Sequence, residues 1–110
     1  MASVQEHLFD VAAAKRRLQE AGGYEIVHTS PGLEVGVYVL VAPEPDRQQP
    51  HEDDEVYIVL EGSGTLQVED EEIDLAEGQA MFVAAHAEHR FAAYERLSLL
   101  VIFTRPTESG

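Results

Sequence analysis

From Tyr24 onward, short apolar runs alternate with turn residues, which is the pattern of a chain built from β-strands. We predict eight strands, separated by glycine, proline and acidic residues. They span residues 24–29, 33–42, 55–60, 65–69, 72–75, 80–84, 89–93 and 97–104. Because strands at this spacing, without helices between them, are typical of antiparallel sandwiches and barrels, we predict an all-β fold.

One helical segment precedes the strands, from about Asp10 to Ala21. Asp10 can cap the first amides, apolar residues recur at helical spacing, and Gly22-Gly23 supplies a left-handed stop. A single helix cannot bury its apolar stripe by itself. We therefore predict that residues 1–23 pack on a barrel formed by residues 24–105, followed by a tail at residues 106–110.

Two predicted strands are apolar on both faces, at residues 56–60 and 97–103. An antiparallel sheet with one solvated face should instead alternate apolar and polar residues. The N-terminal helix can cover only one patch of the outer face. We expect a second copy of the chain to cover the rest, and therefore predict a homodimer.

Composition excludes several classes of function. The chain has 110 residues and no cysteine, so it is one domain without disulfides, thiolate zinc sites or a cysteine nucleophile. Its net charge of −14 argues against nucleic acid and anionic membranes as partners, because these are bound through lysine and arginine. No signal peptide pattern is present, and no apolar run approaches the roughly 20 residues that span a bilayer. We expect a soluble, cytoplasmic protein.

One group of polar residues carries the candidate chemistry. Residues two apart on an extended strand share a face, so Gln49 and His51 project together, and Glu55 and Tyr57 continue that face. His89 begins a later strand and can complete a set of nitrogen and oxygen ligands. Such a set suits one divalent transition metal, either Fe, Mn, Ni, Co, Zn or Cu, and does not select among them. The intervening acidic residues 52–54 are interpreted as a solvated turn.

This arrangement resembles the cupin superfamily, whose motifs are G-x5-H-x-H-x3,4-E-x6-G and G-x5-P-x-G-x2-H-x3-N. In the first motif, His51 falls on the second histidine, Glu55 on the glutamate and Gly62 on the last glycine. In the second motif, Gly78 stands at the start and His89 falls on the histidine. The resemblance implies an antiparallel jelly-roll barrel that holds a metal in its interior and binds a small molecule.

The first motif departs from the family at one ligand. Gln49 stands where the first histidine belongs, so the resemblance implies a ligand set of His51, Glu55 and His89 with Gln49 as a fourth member. An amide oxygen is a weaker ligand than imidazole, so metal affinity should fall. Gln48 is the alternative ligand if Pro50 shifts the register of the strand.

The second motif departs at three positions. Ala84 and His86 replace its proline and glycine, and Ala93 replaces its asparagine, so we expect a loop that is built differently. His86 has two interpretations, a solvent-facing turn residue or an extra ligand or acid/base group at the mouth of the pocket.

The resemblance implies three alternative functions. The first is a metal-dependent enzyme, dioxygenase-like or an isomerase, acting on a small oxygen-bearing organic substrate, with Glu55 as a ligand or general base. The second is a binding or sensing protein without turnover, and the third is a structural dimer with a degenerate metal site. Tyr57 and Phe91 share the predicted inward face, where they line a substrate pocket or pack in the core.

Overall fold

The computed structural model of the chain describes residues 8–42 and 52–104. Within these ranges the chain forms helix α1 (Val11–Leu18) and eight strands. The strands are β1 (Gly23–Ser30), β2 (Leu33–Val41), β3 (Asp54–Gly62), β4 (Gly64–Val68), β5 (Glu71–Leu75), β6 (Ala80–Val83), β7 (His89–Ala92) and β8 (Arg96–Thr104). Every predicted strand is found, with its ends within two residues of the prediction.

Helix α1 is shorter than predicted at its C-terminal end. As expected, the Asp10 side chain caps it by accepting a 3.0 Å hydrogen bond from the Ala13 amide. The helix ends at Leu18 rather than Ala21, because the Gly22 amide bonds back to the Leu18 carbonyl at 2.8 Å. The residues between them form the closing turn. No helix in the described part of the chain is long and apolar enough to cross a membrane.

The strands form two antiparallel sheets. The five-stranded sheet has the order β1-β2-β8-β3-β6, and the three-stranded sheet has the order β5-β4-β7. Strand β8 pairs with both β2 and β3, although it follows them by more than thirty residues. The connections therefore cross between the sheets, and their inner faces oppose each other as in a jelly-roll barrel. This architecture confirms the predicted fold class.

The inner faces of both sheets supply the main hydrophobic core. Its buried members are Leu40, Tyr57, Val59, Leu66, Leu75, Val83, Phe91, Leu97, Leu99, Val101 and Phe103. On β3 every second residue is buried, so Glu55 and Tyr57 face inward while Val56 faces outward. The core therefore fixes the direction of the polar side chains that enter the barrel.

Helix α1 covers one part of the outer face of the five-stranded sheet. Ala14 is fully buried against Val37 and Val39 of β2. The remainder of this face, on β3, β6 and β8, stays less well covered. Its apolar residues are the half-buried Val56, Ile58 and Ile102 and the exposed Phe82.

Candidate functional site

Strand β3 brings two polar side chains into the barrel. Glu55 is 1% exposed and Tyr57 is 0% exposed. The Tyr57 hydroxyl donates a 2.5 Å hydrogen bond to Oε2 of Glu55. A buried carboxyl group is costly unless it is hydrogen-bonded, so this contact offsets part of the cost of placing Glu55 inside the barrel.

His89, the first residue of β7, approaches the same pair from the opposite sheet. Its Nε2 atom lies 3.2 Å from Oε1 of Glu55 and 3.0 Å from the Tyr57 hydroxyl oxygen. On the other side of the ring, Nδ1 lies 2.8 Å from the carbonyl oxygen of Ala87. The structure thus brings together three of the residues that the sequence singles out, Glu55, Tyr57 and His89.

The contacts of His89 define which ring nitrogen carries a proton. A carbonyl oxygen only accepts, so Nδ1 donates to Ala87, and Nε2 is the nitrogen that faces Glu55 and Tyr57. The single proton of the Tyr57 hydroxyl is directed to Oε2 of Glu55. Nε2 of His89 and Oε1 of Glu55 therefore face each other at 3.2 Å, a separation that suits a shared proton or a shared metal cation.

The donor set fits a transition metal. Ligating histidines usually donate their second N–H to a backbone carbonyl, as His89 does to Ala87. Nitrogen and oxygen ligands about 2.1 Å from one metal lie about 3.0–3.4 Å apart at ligand angles of 90–109°. The 3.2 Å between His89 Nε2 and Glu55 Oε1 falls in this range.

The described residues supply only part of the predicted ligand set. Over residues 8–42 and 52–104, no group of three or more histidine, cysteine, aspartate or glutamate side chains is placed to hold a metal. The predicted ligands His51 and Gln49, and the alternative Gln48, lie outside these residues. Their ligation remains a prediction.

The loop between β6 and β7 is held by a residue whose role the sequence did not indicate. Asp54 was expected to belong to a solvated turn, and this expectation is wrong. It is the first residue of β3, half-buried, and its Oδ1 accepts a 2.8 Å hydrogen bond from the Ala85 amide. Asp54 therefore ties β3 to the loop whose Ala87 carbonyl orients His89. In a run of acidic residues, the sequence does not distinguish a carboxylate that faces solvent from one that bonds to a distant loop.

Two of the departures from the second motif occupy left-handed backbone. His86 has φ of 68° and Ala93 has φ of 53°, a region that glycine adopts freely and that costs energy for residues with a Cβ. These are the positions of the family's glycine and asparagine, which accept this conformation readily. Both positions therefore have left-handed backbone although neither residue is glycine or asparagine. The His86 side chain is exposed, as expected of a turn residue.

The inward-facing aromatic residues pack in the core. The Tyr57 and Phe91 rings meet edge to face, with centroids 4.9 Å apart, and Phe91 is buried. Of the two interpretations, core packing is therefore confirmed for both rings. The Tyr57 hydroxyl also contacts Oε2 of Glu55 and Nε2 of His89.

A second tyrosine–glutamate pair lies on the inner face of β1 and β2. The Tyr24 hydroxyl donates a 2.8 Å hydrogen bond to Oε2 of Glu34, and Tyr24 is 39% exposed. No motif in the sequence indicates this pair. Its one local signal is Gly36, because an isolated glycine within a strand often marks a close approach.

Comparison with known proteins decides the family. The family model Cupin_2, described as "Cupin domain", matches residues 37–103, more than half of the chain. The protein belongs to the cupin family. An uncharacterized protein of Streptomyces coelicolor is 39% identical over 75 residues, which are 67% of this chain and 71% of that protein.

Solved structures agree with this cupin fold. TT1209 from Thermus thermophilus has a TM-score of 0.76 at 30% identity, over 90% of this chain and 98% of that one. DMSP lyase DddQ from Ruegeria pomeroyi has a TM-score of 0.71 at 18% identity, over 86% of this chain and 52% of the lyase chain. The likeness to the lyase shows the fold alone.

Proposed function

We propose that this cupin binds one divalent transition metal through His51, Glu55 and His89, with Gln49 as a weaker fourth ligand. The observation that carries the proposal is the close approach of His89 Nε2 to Glu55 Oε1, 3.2 Å apart and both buried. An imidazole nitrogen and a carboxylate oxygen are both ligand types for such a metal, and this separation is compatible with their sharing one cation. Membership in the cupin family, whose members commonly bind a metal, supports the same conclusion.

The bound metal would supply a Lewis acid for an oxygen ligand, or a redox centre for O2 if it is Fe, Mn, Co, Ni or Cu. The chain's own residues then define what a small oxygen-bearing molecule meets. The Tyr57 hydroxyl donates to Glu55 Oε2, so it can hold a proton at that carboxyl oxygen or pass one to a bound molecule. We propose Glu55 and Tyr57 as the proton-handling residues of a dioxygenase-like enzyme or an isomerase.

Elemental analysis of protein purified without a metal-affinity tag tests the metal. We expect close to one metal per chain, and loss of most of it in His89→Ala and in Glu55→Gln. Glu71→Gln is the matched control, because Glu71 is exposed on β5 in the other sheet. Absence of metal from the unaltered protein would favour the structural dimer with a degenerate site. Metal retained by His89→Ala would mean that His89 is not a ligand.

The fourth ligand is tested separately. Gln49→Ala should weaken metal binding, but less than His51→Ala, because an amide oxygen is a poorer ligand than imidazole. Gln48→Ala should leave affinity unchanged. The reverse result for the two glutamines would mean that Gln48 is the ligand.

Turnover distinguishes the enzyme from the binding protein. Oxygen consumption by the metal-loaded protein with diketones, catechols and flavonols tests the dioxygenase-like activity. Lyase activity in a structural neighbour accords with chemistry on a small molecule in this fold. Binding of such a compound without turnover in oxygen or isomerisation assays would favour the sensing role.

We also propose that the chain forms a homodimer through the uncovered part of the outer face. Val56, Ile58 and Ile102 are half-buried there and Phe82 is 63% exposed, so a second copy can bury an apolar strip. Light scattering of the eluting protein should give the mass of a dimer. Phe82→Glu should yield a folded monomer, whereas Glu71→Gln on the other sheet should not. A monomeric unaltered protein at micromolar concentration contradicts this proposal.

A further inference from the structure

The rings of Tyr24, Tyr38 and Phe103 lie together on the inner face of β1, β2 and β8, next to the proposed metal site. We call these three rings the aromatic wall. The phenol end of Tyr24 lies across Gly36, where an added Cβ would sit 2.2–2.3 Å from the ring and its hydroxyl. The Tyr24 ring also meets Tyr38 and Phe103 edge on, with centroids 6.1 and 6.4 Å away. Only glycine at position 36 leaves space for this placement, so the ring is held in a defined position.

A row of side chains links this wall to Glu55. Glu34 of β2 pairs with Phe103 of β8, and Phe103 pairs with Glu55 of β3. The two carboxyl groups therefore stand on the same face of the sheet, on either side of Phe103. Neighbouring strands are about 4.8 Å apart, so the backbones of Glu34 and Glu55, which are two strands apart, are separated by roughly 10 Å. This is the span of a small organic molecule.

Charge and exposure on this wall favour one class of ligand. Tyr24 is 39% exposed and its neighbour on the same face, Ile26, is 51% exposed. An accessible aromatic ring beside a carboxyl group attracts organic cations through the ring quadrupole and the opposite charge. Burial, the bond to Glu34 and the charge of Glu55 raise the pKa of Tyr24, so its hydroxyl stays a donor that orients Glu34.

We propose that Tyr24 and Glu34 form a subsite for the ammonium-type group of a small organic cation. This inference deepens the proposed function, because the other end of such a molecule would carry the oxygen that binds at the metal. The substrate class is then a small molecule with an oxygen function at one end and an organic cation at the other. The subsite itself contains no proposed metal ligand.

The test compares choline with its neutral isostere 3,3-dimethyl-1-butanol. Binding is measured by calorimetry and by chemical-shift changes in the metal-stripped protein, then repeated after metal loading. In the stripped protein we expect choline to bind at least about tenfold more tightly than the neutral compound. Shifts should centre on Tyr24 and Gly36. Equal affinity for the two compounds, or no binding of choline, would overturn the subsite.

Variants separate the ring from the carboxyl group. Tyr24→Leu should abolish the preference for choline, whereas Tyr24→Phe should keep most of it because the ring remains. Glu34→Gln should reduce the preference severalfold. Glu71→Gln, with the same change in net charge, should not, which distinguishes a local carboxyl from the general attraction of an acidic protein.

The two proposals fail in different experiments. Choline binding to the stripped protein with no metal uptake after loading would reject the metal site and keep the subsite. Metal uptake without a preference for choline would reject the subsite alone. Spectra of each variant confirm that it is folded, and a preference for choline that survives Tyr24→Leu in a folded protein contradicts the assignment.

Discussion

The two motif regions of this cupin place different residues at left-handed backbone positions. The first ends at Gly62, with φ of 90°, where an added Cβ would lie 2.2 Å from the backbone oxygen of Arg96. The second contains Gly78, with φ of 85° and no atom within 4 Å of an added Cβ, and His86, a non-glycine residue at φ of 68°. Where only the conformation is demanding, another residue is accepted at some cost. Where space is also lacking, glycine is required.

The largest effect is expected for Gly62→Ala. The methyl group meets a backbone oxygen that cannot rotate away, so β3 and β8 must separate locally, and a left-handed alanine adds strain. We expect a loss of about 3 kcal/mol in the free energy of unfolding. Urea denaturation of metal-stripped protein measures it without the contribution of metal binding. A loss below about 1 kcal/mol would mean that the strands adjust easily, and the distinction between the two regions would fail.

Gly78→Ala isolates the conformational part of this cost. With no atom near the added methyl group, only the left-handed backbone opposes the change. We expect a loss of about 1–2 kcal/mol by the same denaturation measurement. The difference between the Gly62 and Gly78 variants then gives the cost of the steric contact. Equal losses would show that space plays no part at Gly62.

Much of this architecture was predictable from the sequence, because strand faces and turns are local properties. The period of two fixed the faces of β3, and glycine, proline and acidic residues marked the strand ends. Contacts between sheets are not local. The carboxyl of Asp54 reaches Ala85, thirty-one positions away, and Nε2 of His89 approaches Glu55 from the opposite sheet. Such contacts depend on the closure of the barrel, which no single segment encodes.

The candidate site likewise has features that the sequence predicts and features that it does not. The family motifs predicted Glu55 and His89, and the structure brings them within 3.2 Å of each other. The motifs did not predict the Ala87 carbonyl that fixes the ring of His89, because a backbone acceptor leaves no trace in residue type. The residue type of His86 also does not reveal its left-handed backbone, because an exposed histidine in a loop is common.

His86→Gly should reverse the strain that the second region carries. Glycine adopts positive φ without penalty, although its greater freedom in the unfolded chain offsets part of the gain. We expect the free energy of unfolding to rise by about 1 kcal/mol, measured in the metal-stripped protein. His86→Ala is the control, because it removes the imidazole and keeps the left-handed strain. If His86→Ala raised the free energy of unfolding by the same amount, the destabilising factor would be the imidazole rather than the left-handed backbone.

Ala93→Asn should give the smallest change and tests the same principle after β7. Ala93 is exposed with φ of 53°, so the side chain at this position has little packing to lose. Asparagine tolerates left-handed backbone better than alanine does, and we expect a gain of about 0.5 kcal/mol. Ala93→Val should lose stability, because a β-branched side chain is the least suited to positive φ. Denaturation curves with equal slopes for the three proteins allow the comparison. If Ala93→Val were as stable as Ala93→Asn, positive φ would not be what constrains this position. The glycine that the family motif has at the position of His86 would then need another explanation.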